Sequence, residues 1–386
     1  MNNTWLELLT SDPEFLSQES GANPPPPPPF TIRSWGDVRG AALPPRETFL
    51  DDAFALSTVQ AIMGQGGVGK SRVSINIARN NVLGIPFCGL STGQRPYRWL
   101  FIGNENSLHR LKRDVTAMSE GLSTEQIELL DQHVHLHSLE TLDDSFICLS
   151  DDTVKERWYE TVKAVKPDII VPDPWGEIQF GDPNNDLDTR QSVRELLRIC
   201  MRVNTKMAQL ILHHGRTGRA NIAQAAGWDK GNFGKGSKAL YSGCRAVVNL
   251  APADPDDHSR LVMVCAKSND CPPFDTRGIK LDDNTLTYDV DPDFDFDAWQ
   301  ADVDGKRQPG NAKGSIQDVV DAVAAGADTR KKVGEYFEEH FETAPRTARK
   351  WVQKALEIGY VRISGKNELK LTPKASPRHS VEHIDD

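Results

Sequence analysis

Eight consecutive residues, 64–71, have the types and spacing of a phosphate-binding loop. They follow the pattern Gly-x-x-x-x-Gly-Lys-Ser, after a short apolar stretch and before a helical pattern. Glycines let backbone N–H groups turn towards phosphate oxygens, and a helix N-terminus adds partial positive charge. Lys70 is expected to reach the β- and γ-phosphates of ATP, and the Ser71 hydroxyl to bind Mg²⁺. The predicted ATP-binding residues are Gly64, Gln65, Gly66, Gly67, Val68, Gly69, Lys70 and Ser71.

Two carboxylates follow apolar stretches that have the composition of strands. Asp173 ends the run 168–173, and the carboxyl end of a parallel strand lies beside such a loop, so it is the predicted second Mg²⁺ ligand. Its alternative is a turn aspartate, since Asp-Pro is also turn chemistry. Glu105 follows the run 100–103 and could orient the attacking water. Its alternative is a glutamate that the dipole favours at a helix N-terminus.

A histidine pair follows the apolar run 210–212. His214 could bind the γ-phosphate of ATP, or relay its loss to the next loop. The alternative is an ordinary histidine with no role in the chemistry.

The elements that must position these residues alternate along 30–282. Strands that alternate with helices predict an α/β fold with a mostly parallel sheet covered on both faces. The expected strands lie at 57–63, 98–103, 133–139, 168–171, 208–213, 247–250 and 261–266. The expected helices lie at 70–82, from 107, at 151–165 and at 189–203.

Length and composition indicate two domains. The 386 residues carry a net charge of −10, which argues against a uniformly basic coat. Six scattered cysteines fit reduced thiols of a cytoplasmic protein, and no apolar run is long enough to predict a membrane span. The predicted segments are an amphipathic segment with a polyproline linker (1–29), an ATPase domain (30–282), an acidic then Gly/Lys-rich linker (283–313), a winged-helix domain (314–373) and a tail (374–386).

The C-terminal domain is more basic than the whole chain. Residues 311–380 contain 13 Lys and Arg against 9 Asp and Glu. Three helical patterns and two short strands predict a winged helix, whose third helix would enter a duplex major groove. Docking to another protein is the alternative. The basic residues expected on that helix are Arg346, Arg349, Lys350 and Lys354.

Taken together, these motifs resemble the RecA/DnaB-type motor core, and most of all the RepA-type hexameric replicative helicases and their AAA-like phage relatives. The resemblance covers about residues 45–285. It rests on the loop at 64–71, Glu105 in Asn-Glu-Asn-Ser with Arg110 and Arg113 behind it, Asp173, Gly-Asp-Pro-Asn-Asn at 181–185, Leu-Ile-Leu-His-His at 210–214, and Gly-Ser-Lys-Ala-Leu…Arg at 236–245.

The resemblance implies a homo-oligomeric ring, usually of six, with ATP between subunits. A cation from the neighbouring subunit completes each site in such rings, and Arg245 or Lys267 matches its position. Either residue could instead be a simple surface charge. An inserted cation would stabilise charge on the transferring phosphoryl group.

The segment 215–236 contains six glycines and four basic residues. In RecA-like rings the loop at this place faces the central channel, where cations could follow a single DNA strand and Trp228 or Phe233 could stack on its bases. The alternative is a surface loop without this role. The basic residues are Arg216, Arg219, Lys230 and Lys235.

The sequence therefore predicts an ATP-driven DNA motor, either a RepA-like helicase or a helicase loader. One alternative is a DNA-binding ATPase switch in plasmid, phage or transposon replication, in partition or in defence, without unwinding. The other is a replication-initiator scaffold that binds nucleotide only to assemble.

Overall fold

The structure, a computed structural model, describes residues 30–216, 222–254, 257–305, 315–341, 345–365 and 368–375. The chain divides into two compact units, Met1–Gln300 and Ala301–Asp386. The predicted amphipathic segment and polyproline linker at 1–29 lie outside the described residues, as does nearly all of the predicted tail.

The first unit contains eleven strands among its described residues. They are β1 (Thr48–Leu50), β2 (Phe54–Ala55), β3 (Val59–Gly64), β4 (Trp99–Gly103), β5 (Val134–Leu136), β6 (Ile169–Asp173), β7 (Ala208–His214), β8 (Ala246–Pro252), β9 (Arg260–Ser268), β10 (Arg277–Leu281) and β11 (Tyr288–Val290).

Helices connect most of these strands. They are α1 (Trp35–Gly40), α2 (Lys70–Leu83), α3 (Leu108–Met118), α4 (Thr124–His133), α5 (Asp152–Val165), α6 (Trp175–Ile178), α7 (Asp186–Met201), α8 (Lys238–Gly243) and α9 (Phe296–Gly305), which crosses the boundary between the units. Short 3₁₀ helices lie at Leu142–Ser145, Ala223–Ala225 and Gly227–Asn232.

Nine strands form one sheet in the order β11-β10-β9-β8-β3-β7-β6-β4-β5. The strands from β8 to β5 pair in parallel, and β9, β10 and β11 extend the sheet in antiparallel fashion. The prediction of an α/β fold with a mostly parallel sheet is confirmed.

Apolar side chains cover both faces of the sheet. Leu210 and Leu212 of β7 belong to a buried cluster that also includes Val73 and Ile77 of α2. Ile211 lies between them in sequence and is equally buried outside that cluster, as the two-residue period of a strand requires. Both faces are therefore closed to water, which explains the continuous apolar runs of the central strands.

The antiparallel edge extends past the predicted boundary at residue 282. Leu281 pairs with Tyr288, so strand β11 lies within the segment expected to be a linker. Tyr288 is buried whereas Asp289 and Val290 are exposed, so only one residue of the strand contributes an apolar signal. A strand held mainly by backbone hydrogen bonds is difficult to predict from composition.

The second unit contains three helices and a β-hairpin among its described residues. These are α10 (Ile316–Ala324), α11 (Arg330–Phe341), α12 (Pro345–Glu357), β12 (Val361–Ser364) and β13 (Glu368–Leu371), the two strands pairing antiparallel. Val319, Phe337 and Val352 bring one buried side chain from each helix into a common core with Leu369 of the hairpin. Among the described helices of the chain, none is both long enough and apolar enough to cross a membrane.

Candidate active site

The loop at 64–69 joins the end of β3 to the start of α2. Strand β3 is buried along its whole length, which fixes the position of the loop. Gly69 stands at the helix N-cap with φ 93°, a left-handed conformation that favours glycine. A Cβ at Gly69 would also lie 2.8 Å from the Tyr288 hydroxyl. The structure therefore gives this segment the strand–loop–helix context that phosphate binding requires.

Lys70 points back into the loop. Its Nζ donates to the carbonyl oxygens of Gly64 and Gln65, each at 3.0 Å, and lies 3.3 Å from Nδ1 of His214. Burial lowers the pKa of Lys70, while Asp173 and Glu105 raise it. The ammonium therefore sits among acceptors at the point where the β- and γ-phosphates of a nucleotide would be bound.

Ser71 and Asp173 meet at the carboxyl end of the sheet. The Ser71 hydroxyl donates to Oδ2 of Asp173 at 2.5 Å. Asp173 is almost completely buried, and its Oδ1 has no hydrogen-bond partner among the described residues. Burial is the largest influence on the pKa of Asp173 and raises it. A hydroxyl beside a carboxylate with an unpartnered oxygen fits the oxygen ligands that Mg²⁺ prefers.

Glu105 reaches the site because β4 and β6 run in register. Gly103 pairs with Asp173, and a Cβ at Gly103 would lie only 1.8 Å from the carbonyl oxygen of Asp173. Glycine is therefore required for this approach, and Glu105 follows two residues later. Oε1 of Glu105 lies 3.4 Å from Nε2 of His214, and this contact is the main reason that the pKa of Glu105 is lowered.

The partners of His214 define its tautomer. An ammonium only donates hydrogen bonds, so Nδ1 of His214 accepts from Lys70. Nε2 of the neutral ring then carries the proton and faces Glu105. His214 thus lies between Lys70 and Glu105, so the structure brings all three residues together.

The neighbouring His213 contacts the segment that follows the strand. Its Nε2 lies 2.7 Å from the carbonyl oxygen of Lys235, and burial lowers the pKa of His213 to about 4. His213 is therefore neutral and donates through Nε2. The Lys235 N–H in turn donates to the His214 carbonyl oxygen at 2.9 Å, and Gly215 pairs with Gly234. The C-terminal end of the predicted DNA loop is thus hydrogen-bonded directly to the end of β7.

Arg245 and Lys267 lie far from the phosphate loop of their own chain. The Arg245 N–H bonds to the Val59 carbonyl oxygen, at the end of β3 opposite Gly64. Val59 and Gly64 are five residue steps apart along the strand, roughly 16 Å. The Lys267 Nζ donates to the carbonyl oxygens of Tyr241 and Ser242 at 3.0 and 2.9 Å. Burial is the main influence on the pKa of Lys267 and lowers it.

Asp270 is a neighbour of Arg245 that the sequence did not indicate. One carboxylate oxygen accepts from Arg245 and the other from Arg46, each at 2.5 Å. Arg46 is 224 residues away from Asp270 in sequence, so no local pattern links them. Two arginines on one carboxylate leave this group of three residues with a net positive charge.

A second network supports the phosphate loop. Asp114 of α3 accepts from Arg72 at 3.2 Å and from Arg113 at 2.8 Å. Arg110 lowers the pKa values of both Glu105 and Asp173 through its charge. The run Arg-Leu-Lys-Arg-Asp at 110–114 could have indicated Asp114, because it places an acidic residue directly after basic ones. A carboxylate that is buried, as Asp114 is, needs such positively charged partners.

The predicted DNA loop is described at residues 215–216 and from residue 222 onwards. Arg216 and Lys235 are exposed and Lys230 is half-buried, whereas Arg219 lies outside the described residues. Phe233 is completely buried, so the prediction that it could stack on bases is wrong. Its ring packs into the protein interior and has no open face.

In the second unit, α12 has the expected basic surface. Arg349, Lys350 and Lys354 are exposed, while Ala348 and Val352 are buried. The side chain of Arg346 lies outside the described residues, although its backbone belongs to the helix.

The sheet, the loop and the residues around it define a P-loop ATPase with a RecA-like core. A family model described as an AAA domain matches residues 25–220, half of the chain, and the protein belongs to this family. No curated protein matches the sequence. Among solved structures, the chain is similar to a KaiC-like protein of the hyperthermophilic archaeon Pyrococcus horikoshii OT3. The identity is 13% and the TM-score 0.42, over 63% of this chain and 94% of that protein.

Proposed function

We propose that this protein is an ATP-dependent DNA motor, a RepA-like helicase or helicase loader that hydrolyses ATP at the interfaces of a homo-oligomeric, hexameric ring. The observation that carries the proposal is the double contact at the end of β7. His214 contacts Lys70 and Glu105 on one side, and its carbonyl oxygen accepts from Lys235 on the other. The end of β7 therefore connects the residues that would bind phosphate to the basic loop.

In this mechanism Lys70, Ser71 and Asp173 hold MgATP. The Lys70 ammonium exchanges its carbonyl partners for phosphate oxygens, which form stronger charge-assisted hydrogen bonds. Ser71 and Asp173 supply oxygen ligands to Mg²⁺, which offsets negative charge on the β- and γ-phosphates when bound. Asp173 is preorganised for this role, since its unpartnered Oδ1 is already desolvated.

Glu105 orients the attacking water and accepts its proton. The lowered pKa keeps Glu105 ionised at neutral pH, as a general base requires. Its carboxylate is partly exposed and therefore accessible to water. His214 fixes one carboxylate oxygen, so the other is available for the water.

Loss of phosphate changes the partner of His214. With a nucleotide bound, Lys70 donates to phosphate, and Nδ1 of His214 is released to another donor. When phosphate leaves, Lys70 returns to His214. The Lys235 backbone is hydrogen-bonded to both histidines, so this exchange changes the conformation of the loop that contains Arg216, Lys230 and Lys235. That change moves the three basic side chains along a DNA strand.

The cation that completes the site comes from the next subunit. Arg245 and Lys267 lie at the wrong end of the sheet to serve their own nucleotide, which supports a role in trans. Arg245 is the first candidate, since Asp270 holds its guanidinium at a partly exposed position. An inserted guanidinium would stabilise charge on the transferring phosphoryl group.

The second unit supplies duplex binding in this proposal. Its three helices and hairpin have the element order of a winged helix, with α12 as the helix that enters the major groove. The residues that would contact DNA are Arg346, Arg349, Lys350 and Lys354. Reversing the charges of Arg346, Arg349 and Lys350 should abolish duplex binding. Unchanged affinity at moderate salt would instead favour a protein-docking role for the unit.

The first experiment measures ATP turnover with and without single-stranded DNA, and strand displacement on a tailed duplex. DNA-stimulated turnover with displacement is expected. Stimulated turnover without displacement would replace the motor with an ATPase switch, and nucleotide binding without turnover would leave a scaffold. Full turnover by Lys70→Ala would refute the assignment of the site.

The second experiment tests the trans cation by mixing two inactive variants. Lys70→Ala retains Arg245 but lacks the phosphate-site lysine, and Arg245→Ala has the opposite defect. Random assembly of equal amounts gives about a quarter of interfaces with both native residues, so activity should return to about that fraction. A mixture as inactive as its components would refute the role of Arg245 in trans, and the same mixture with Lys267→Ala tests the other candidate.

A further inference from the structure

Trp228 is completely exposed. It lies in the 3₁₀ helix Gly227–Asn232, on the segment that follows β7. Tryptophan has the largest side-chain surface, and burying such a surface against a partner is strongly favourable. A fully exposed indole on an ordered segment is therefore a surface available for binding a partner.

The chain around Trp228 is anchored on both sides. The Asn249 amide on β8 donates to the carbonyl oxygens of Ala225 at 3.0 Å and Lys230 at 2.9 Å. Asn249 is fully buried, and Ala225 and Phe233 flank the turn with fully buried side chains. The indole thus stands on a fixed base and loses little conformational entropy when a partner contacts it.

The charges near Trp228 indicate the chemistry of that partner. Residues 216 and 222–238 contain four basic side chains and one acidic side chain, Asp229. Protein interfaces are depleted of lysine at their core, whereas sites for single-stranded nucleic acid combine cations with an exposed aromatic ring. The basic residues are Arg216, Lys230, Lys235 and Lys238.

We propose that Trp228 stacks on an unpaired nucleobase, while the surrounding cations bind the phosphates of the same strand. This inference rests on the proposed function, because it requires a single strand at the loop. Only an unpaired base can leave its neighbours and offer a face to the indole. Stacking of this kind tolerates any sequence, since every base has a π-face.

The test compares two labelled strands of equal length, oligo-dT and the same strand with abasic sites in its centre. Both carry the same phosphates, so only the bases differ. With a non-hydrolysable ATP analogue, the native protein should bind oligo-dT more tightly than the abasic strand. Trp228→Ala should weaken oligo-dT binding about 5- to 150-fold and abolish the preference, whereas Trp228→Phe should retain part of it.

Trp35→Ala is the matched control, since Trp35 is also highly exposed but lies far along the chain in α1. It should leave the preference unchanged. The dependence of oligo-dT affinity on salt should be the same for Trp228→Ala and the native protein, because the phosphate contacts remain. An oligo-U strand in a parallel measurement distinguishes RNA from DNA as the source of the base.

Equal base preference in Trp228→Ala and the native protein would overturn the inference. So would a native protein with no preference, even if DNA stimulates its ATP turnover and the motor proposal stands. Trp228-dependent preference without strand displacement would support the inference and refute the motor. A loss of thermal stability or of DNA-independent ATP turnover in Trp228→Ala would indicate a structural role and also overturn it.

Discussion

Asp173→Asn is expected to make the protein more stable and nearly inactive. Asp173 is 4% exposed, and burial raises the pKa of its carboxyl group. A folded-state pKa above the unfolded value means that ionisation at neutral pH opposes folding. Asparagine removes that charge, and its carbonyl oxygen can still accept from Ser71. Its amide then occupies the place of the carboxylate oxygen that has no partner, and its buried N–H groups offset part of the gain.

The expected gain is about 0.5–2 kcal/mol in the free energy of unfolding, the usual range for a single stabilising substitution. Each unit by which folding raises a carboxyl pKa lowers stability at neutral pH by about 1.4 kcal/mol. Loss of the Mg²⁺ ligand should reduce ATP turnover about 100- to 1000-fold.

Thermal unfolding without Mg²⁺ measures the change in stability caused by Asp173→Asn. Trp99, Trp158 and Trp175 are buried in the first unit, so tryptophan fluorescence reports its unfolding. The advantage of Asp173→Asn should be absent at low pH, where the native carboxyl is protonated in both states. It should grow as the pH rises from the unfolded value of 3.8 through the raised folded pKa.

Asp168→Asn is the matched control at the other end of the same strand segment. Asp168 pairs with Arg95 at 3.1 Å and accepts from the Arg98 N–H, so its loss should destabilise the unit. Its ATP turnover should stay within about threefold of the native value, since Asp168 touches no candidate site residue. A less stable Asp173→Asn, or a difference that does not change with pH, would refute the reasoning about burial.

Three further predictions follow from the same contacts. Gly103→Ala should force β4 and β6 apart. A shift of about 1 Å at the site would lower kcat about 100-fold, with less effect on ATP affinity. An unchanged kcat would contradict the close approach of Gly103 to Asp173. Glu105→Gln should reduce turnover about 100- to 10,000-fold while equilibrium dialysis finds ATP affinity preserved. Phe233→Ala should lower the free energy of unfolding by about 3–5 kcal/mol in urea titrations, whereas the exposed Trp228→Ala should not.

The central sheet was predictable because its strands are buried on both faces. Runs such as 169–171 and 210–212 are apolar without interruption, and all the residues of the phosphate-binding motif at 64–71 are adjacent in sequence. Ser107 even marks the start of α3, since its side chain caps the Arg110 N–H. Local composition was sufficient for these elements because local contacts determine them.

The remaining features depend on residues distant in sequence. Nothing near Arg46 indicates Asp270, because the folded chain brings together two residues that are 224 positions apart. Nothing near Gly103 indicates that Asp173 lies against it, because the register between β4 and β6 creates that contact. Phe233 and Trp228 are both aromatic residues in a glycine-rich segment, and sequence alone gave no means to separate them. In the structure Phe233 is completely buried and Trp228 is completely exposed.

The separation of Arg245 from Gly64 along β3 has a consequence for symmetry. A twofold pair brings identical surfaces together, so it can join these two ends only if both lie in one self-complementary patch and each subunit completes the other's site. In a ring, where one subunit's arginine completes the nucleotide site of the next, the two contacting surfaces are different and the interface is heterologous. Assembly by this route has a direction, and each subunit offers one donor and one acceptor end. Whether the product is a closed ring or an open helical filament is then determined by the rotation between neighbours alone.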